Sequence, residues 1–143
     1  MTYVVDASVW VSDIRPSDVN HNASRAFFDR IRLQGEPLVG PSLTLVECAG
    51  AISRPTQNPR LGTAAVAIIG VTPNLALVEL SEDRARKAAA IAASHALRGA
   101  DAVYAQVAVE NSATLITWDN EMLARTPNAV ATMTPSDWLA ANP

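Results

Sequence analysis

Hydrophobic positions along this chain follow two alternating rhythms. Short runs of aliphatic and β-branched residues are separated by longer stretches in which apolar residues recur every three or four positions. The first rhythm is that of buried strands and the second that of helices with one apolar face. Tyr3-Val4-Val5 predicts a first strand over Thr2 to Asp6. Ala23, Phe27 and Ile31 predict a helix from Val19 to Leu33, closed by Gly35. A second strand is predicted at Pro37 to Val39, and Pro41-Ser42 opens a helix to Ser53 that Pro55 should stop. The stretch RPTQNPRLG at 54–62 reads as a loop, and Thr63 to Gly70 as a short apolar helix. Leu75 to Leu80 predicts a third strand. Ser81-Glu82-Asp83 starts an alanine-rich helix reaching Leu97. Arg98-Gly99 interrupts it, and another helix follows from Ala100 to Asn111. Ala113 to Thr117 and Ala129 to Met133 predict strands four and five, and Pro135-Ser136-Asp137 opens a last helical turn with Asp137 as its cap.

Strands alternating with helices predict βα units around a parallel sheet, an α/β fold of four to five strands. With 143 residues and no internal repeat or long linker, one domain over 1–143 is expected. Hydrophobic residues make up 49% and charged residues 17%, the balance of a globular protein. No apolar run reaches the ~18 residues of a membrane span, and AAVAIIGVTP at 64–73 ends on a proline. No basic, then apolar, leader opens the chain, so a cytoplasmic location is expected. Cys48, the only cysteine, excludes an intramolecular disulfide and a cysteine-built zinc site. His21 and His95 are too far apart in sequence to form a metal-binding pair.

The acidic residues change the picture. Surface acids belong on polar helix faces among basic partners, as Asp29, Glu82, Asp83 and Glu110 are. Four acids do not. Asp6 ends the first strand. Glu47 is the only charge from Leu38 to Ser53, and Asp101 the only one from Gly99 to Val109. Asp119 follows TLITW at the end of strand four. Open α/β sheets place their sites at the carboxyl ends of strands. Each acid has a structural alternative: Asp6 and Asp119 as helix N-caps, Glu47 in the capping box Thr44-x-x-Glu47, Asp101 near a positive helix end. Four carboxylates brought together would repel unless some took up protons or a divalent cation joined them. Oxygen donors of this kind suit magnesium or manganese.

The segments VVDASVW, LTLVECAGAISR, LRGADAVYAQVA and LITWDNEML, in this order, resemble the PIN domain. Among PIN proteins the resemblance is to the VapC-type toxins of bacterial and archaeal toxin–antitoxin pairs. It implies a three-layer α/β/α domain and an endoribonuclease dependent on Mg2+ or Mn2+, with one or two ions per site. On this resemblance Asp6, Glu47, Asp101 and Asp119 correspond to the metal-binding, catalytic acids. Ser8 and Thr117 match hydroxyl residues of the first and last motifs, and Asn120 or Glu121 would assist the metal shell. It also implies an RNA substrate, a homodimer and a cognate antitoxin, with no membrane partner.

The remaining features carry less. The net charge of −3 offers no basic surface of the usual nucleic-acid-binding kind. Ten of the eleven basic residues are arginine, which forks onto phosphate, but a GC-rich coding bias gives the same skew and carries the larger weight. Arg54, Arg60 and Arg98 are candidate RNA contacts. Trp10 and Trp118 read as packing residues and Cys48 as a small buried hydrophobe. A haloacid-dehalogenase-like phosphohydrolase would need a second aspartate where Ser8 stands. A response-regulator receiver would need paired acids after strand one and a late lysine, whereas Lys87 lies mid-helix. A non-toxin PIN nuclease of RNA processing and a non-catalytic PIN-like binding module complete the alternatives.

Overall fold

The computed structural model describes residues 1–143. Its five strands are β1 (Tyr3–Val5), β2 (Leu38–Pro41), β3 (Leu75–Val78), β4 (Thr114–Ile116) and β5 (Thr132–Met133). Among them run α1 (Ala7–Ile14), α2 (His21–Gln34), α3 (Leu43–Thr56), α4 (Pro59–Gly70), α5 (Glu82–His95), α6 (Gly99–Glu110), α7 (Asn120–Arg125) and α8 (Pro135–Ala141). The strands make one sheet in the order β3-β2-β1-β4-β5, and every neighbouring pair is parallel. Wholly buried, β1 lies in the middle, pairing Tyr3 with Leu38 on one side and Val5 with Ile116 on the other.

The chain steps outward from β1 through β2 to β3, then returns across the sheet to β4 and β5. With the right-handed crossovers that parallel βαβ units follow, this order assigns α1 to α4 to one face and α5 and α6 to the other, the expected three-layer α/β/α architecture. Strand order reverses between β1 and β4, so a crevice opens beyond their carboxyl ends.

Two apolar layers hold this crevice in place. Helix α6 is buried from Asp101 through Ala108 and lies against β1, β2 and β4. A helix apolar on every side belongs inside, and α6 is the central support of its face. On the other face Tyr3, Phe27 and Trp138 meet edge to face, with ring centroids 5.7 Å (Tyr3–Trp138) and 5.0 Å (Phe27–Trp138) apart. Such pairs add about 0.5–1.5 kcal/mol each beyond the area they bury.

Three local expectations need correction. Pro55 does not stop α3, which continues through Thr56 and ends on Gln57 in the left-handed region, φ 50°. In the last turn a proline forfeits little, and the Thr56 hydroxyl ties the turn by donating to the Ile52 carbonyl at 2.6 Å. The loop over 54–62 therefore shrinks to Gln57-Asn58. Asn58 caps α4 by accepting from the Arg60 N–H at 3.0 Å, and Pro59 takes the first helical position, where a proline lacks nothing it needs. Asp137 is not the cap of α8. That cap is Thr134, whose hydroxyl accepts from the Asp137 N–H at 3.0 Å and donates to the Asp137 carboxylate at 2.8 Å.

Candidate active site

Each acid reaches the crevice by a different route. Asp6 is the residue after β1 and the N-cap of α1, 5% exposed. Its Oδ2 accepts from the Ser8 N–H (3.2 Å), the Ser8 hydroxyl (2.6 Å) and the Thr117 hydroxyl (3.0 Å). Burial pushes the Asp6 carboxyl above the usual carboxylate range, while the Ser8 and Thr117 hydroxyls pull it back. Both hydroxyls serve twice. Ser8 Oγ accepts from the Trp118 N–H at 3.1 Å, and Thr117 Oγ1 accepts from the Asp119 N–H at 3.0 Å. The ends of β1 and β4 are thus latched together by side chains as well as by the sheet.

Asp119 is the N-cap of α7. Its Oδ1 accepts from the Glu121 and Met122 N–H groups at 2.8 and 3.0 Å, which leaves Oδ2 facing the crevice. Asp101 is the third residue of α6, buried, and its carboxyl too is raised by burial. Glu47 lies in the second turn of α3. The capping-box alternative is not built, because α3 starts at Leu43 with Ser42 at its N-cap and Thr44 already inside the helix. Glu47 Oε1 is buried without a hydrogen-bond partner, and burial raises its carboxyl, with Asp6 and Asp101 adding to the rise.

These four carboxylates line one cavity of about 260 Å3, together with Ala7, Ser8, Arg98 and Ala100. At its rim Asp101, Asp119 and the neighbouring Glu121 form one close group, each offering an oxygen within 4.8 Å of the others. The Arg98 guanidinium bridges them: Nε to Asp101 Oδ2 at 3.1 Å, Nη2 to Asp119 Oδ2 at 2.6 Å, and Nε to Glu121 Oε2 at 3.8 Å.

Other named residues fall elsewhere. Arg54 lines an adjoining open cleft of about 730 Å3 with Val46, Gly50, Ala51 and Pro55, and Glu47 forms a wall of both spaces. Arg60 and Asn120 are exposed and line neither. Trp10 is buried against Phe28, and Trp118 donates its indole N–H to Ser24 Oγ at 2.9 Å, so both are packing residues. The Cys48 thiol is buried and pushed up to about 12 by desolvation, which makes it inert as a nucleophile.

Sequence reasoning missed Tyr104 and read Thr44 only as a helix cap. Both hydroxyls are buried beside Glu47 without a well-formed hydrogen bond, and burial raises the Tyr104 phenol far above its ordinary value. The available signal was a lone phenol in an otherwise aliphatic helix, one turn after Asp101.

The donor set fits a hard divalent cation. It consists of carboxylate oxygens alone, one of them an orphaned buried atom, and burial makes Asp6, Glu47 and Asp101 costly as free charges.

Comparisons with known proteins agree with this architecture. The family model described as PIN domain matches residues 3–128. The fold is similar to that of VapC20 from Mycobacterium tuberculosis, described as a sarcin-ricin loop cleaving toxin. Identity is 19%, coverage 90% of this chain and 98% of that one, and the TM-score 0.73. It is also similar to VapBC2 from Rickettsia felis, bound to a DNA fragment from their promoter (15%, 94% and 98%, TM-score 0.71). A third is a toxin-antitoxin complex from Klebsiella pneumoniae (16%, 93% and 97%, TM-score 0.63). No curated protein matches the chain by sequence.

Proposed function

The chain belongs to the PIN-domain family, and from that premise we propose that it is a Mg2+- or Mn2+-dependent endoribonuclease, the toxin of a toxin–antitoxin pair. One observation carries the reading: Asp6, Glu47, Asp101 and Asp119, far apart in sequence and each set in apolar surroundings, line a single cavity at the switch point of the sheet. A retired site would have no reason to keep four acids together, three of them raised by burial.

Asp6, Glu47, Asp101 and Asp119 would hold the ion or ions, with Glu121 at the rim. When bound, the cation supplies Lewis acidity toward the phosphodiester and lowers the pKa of the attacking water. The chain's own residues do the positioning. Ser8 and Thr117 fix the Asp6 carboxylate by donating to its Oδ2, and the α7 backbone fixes Asp119 through its Oδ1. Preorganised carboxylates of this kind need little rearrangement as charge develops on the phosphate. No serine hydroxyl or cysteine thiol is paired with a histidine, His21 meeting only the Ser12 carbonyl, so hydrolysis by water is the chemistry the residues suit. Arg54, which lines the adjoining cleft, would meet the backbone of an RNA strand running past Glu47.

The toxin role draws on the VapC20 toxin and the toxin-antitoxin complex whose folds the chain shares. It brings with it a cognate antitoxin, a homodimer, a cytoplasmic site of action and a single domain over 1–143.

The test is an RNA-cleavage assay with Mg2+, Mn2+ or EDTA, run on wild type, Asp6→Asn and Asp101→Asn. Cleavage should need the metal and fall by about 100-fold or more in either variant. Cleavage that persists in EDTA and in both variants would overturn the nuclease mechanism. Growth arrest on expression, relieved by the product of a neighbouring short reading frame, checks the toxin assignment separately.

A further inference from the structure

We propose that Arg98 is a resident counter-cation of this site, which a divalent ion must displace before it can bind. The inference deepens the metal-dependent reading above and rests on it.

The carboxylate oxygens left free decide where an ion can bind. Asp119 Oδ1 is committed to the N-terminus of α7 by two hydrogen bonds, so Oδ2 is the oxygen left for a ligand. Arg98 Nη2 already holds that atom at 2.6 Å. On Asp101 the guanidinium takes Oδ2, through Nε at 3.1 Å. Glu121, the third member of the tight acidic group, stands 3.8 Å from the same nitrogen. The cation of the side chain therefore occupies the place where three carboxylates converge. A divalent ion and a guanidinium compete there for the same lone pairs, because neither can share them at full strength.

Arg98 is the one basic residue lining the cavity, so it is the only side-chain cation facing these acids there; Arg125, 3.5 Å from Glu121 Oε1, stands outside the lining. Its backbone does not have to move for it to leave. The Arg98 carbonyl accepts the first helical bond of α6, from the Ala102 N–H at 3.0 Å, which fixes the Cα at the rim. The side chain itself is 66% exposed and swings on a flexible stem from that anchor. Displacement thus costs two charge-assisted hydrogen bonds and little packing. The arrangement keeps the metal-free fold from tearing itself apart by charge repulsion, at the expense of apparent metal affinity.

MnCl2 titrated into RNA-free protein, followed by calorimetry and by thermal melts, tests this without any reading of activity. The proteins are wild type, Arg98→Gln, Arg98→Lys and, as a remote control, Arg86→Gln, whose partner Glu82 lies on an exposed helix face. Arg98→Gln should bind Mn2+ about 10-fold more tightly than wild type, since one competing unit charge is gone. Without metal it should melt below wild type, and Mn2+ should raise its Tm by more than it raises the wild-type Tm. Arg98→Lys, still cationic but unable to fork, should fall between, and it serves in place of Arg98→Gln if that variant fails to fold. Arg86→Gln should match wild type. Equal or weaker Mn2+ binding in Arg98→Gln, with wild type binding normally, overturns the inference and leaves the nuclease reading standing. Failure of every protein to bind Mn2+ sinks both.

Discussion

Asp119 shows how one carboxylate can serve a helix and a cavity together, with Oδ1 capping α7 and Oδ2 turned to the crevice. Asp6 does the same in another way, capping α1 and taking two hydroxyls on the same oxygen. The sequence poses cap and site as alternatives; at residue scale they are compatible, because a carboxylate has more lone pairs than a cap requires. Glu47 is the contrasting case, with no cap to make and a buried Oε1 left unpaired. Its proton affinity is higher in the folded chain than in the unfolded one, chiefly through desolvation. Such a group contributes stability that is whole below its ordinary pKa and is lost as pH rises through the raised value. In EDTA at pH 7, Glu47→Gln should therefore be more stable than wild type by about 1 kcal/mol. The gap should close as pH falls toward about 4.5, the ordinary glutamate range. Thermal melts across that window check the sign, and the same variant should lose most of its Mn2+-induced shift.

At the scale of elements, α3 and α4 form a tight hairpin, and the helix that carries Glu47 is set by that contact. Gly62 is its pivot: a Cβ there would sit 2.8 Å from the Ala49 carbonyl oxygen and 3.1 Å from Ser53 Cβ. The first of these is helix backbone and cannot step aside. Gly62→Ala should cost about 1–3 kcal/mol in urea unfolding and weaken Mn2+ binding by moving α3. Gly50 faces open space on the same helix, so Gly50→Ala should be neutral or stabilising by up to about 1 kcal/mol. The pair separates a packing constraint from a propensity effect. Strands and the alanine-rich helix were legible because their periods are local. Pro55 and Pro59 misled because a proline's meaning depends on whether it stands in a last turn or a first one, which requires knowing where the neighbouring helix packs.

For the whole molecule, closure of the sheet depends on segments past the residues that match the family. That match ends at 128, yet the Leu115 N–H donates to the Ala131 carbonyl at 2.9 Å and the Thr117 N–H to Met133 at 3.1 Å. Trp138 is 2% exposed in the aromatic layer behind β1. Trp138→Ala should cost about 3–5 kcal/mol, and truncation after Asn128 should cost more, since it also unpairs β4 next to Thr117 and Asp119. Chemical denaturation followed by circular dichroism and by tryptophan fluorescence reads both effects. Coincident transitions in the wild type are expected if residues 1–143 form one cooperative unit.

Alternation of strand and helix, the parallel α/β class and the oddity of four acids in apolar stretches all came from the sequence alone, because hydrophobic period and local charge context are local quantities. Which Asp119 oxygen is left by the helix cap, which oxygens Arg98 holds, and that Ser8 and Thr117 tie two strand ends together were decided only by tertiary structure. The reason is geometric. Thr117 meets Asp6 across 111 positions because β1 and β4 pair in a register that sets Val5 beside Ile116, and no pattern within either segment contains that register.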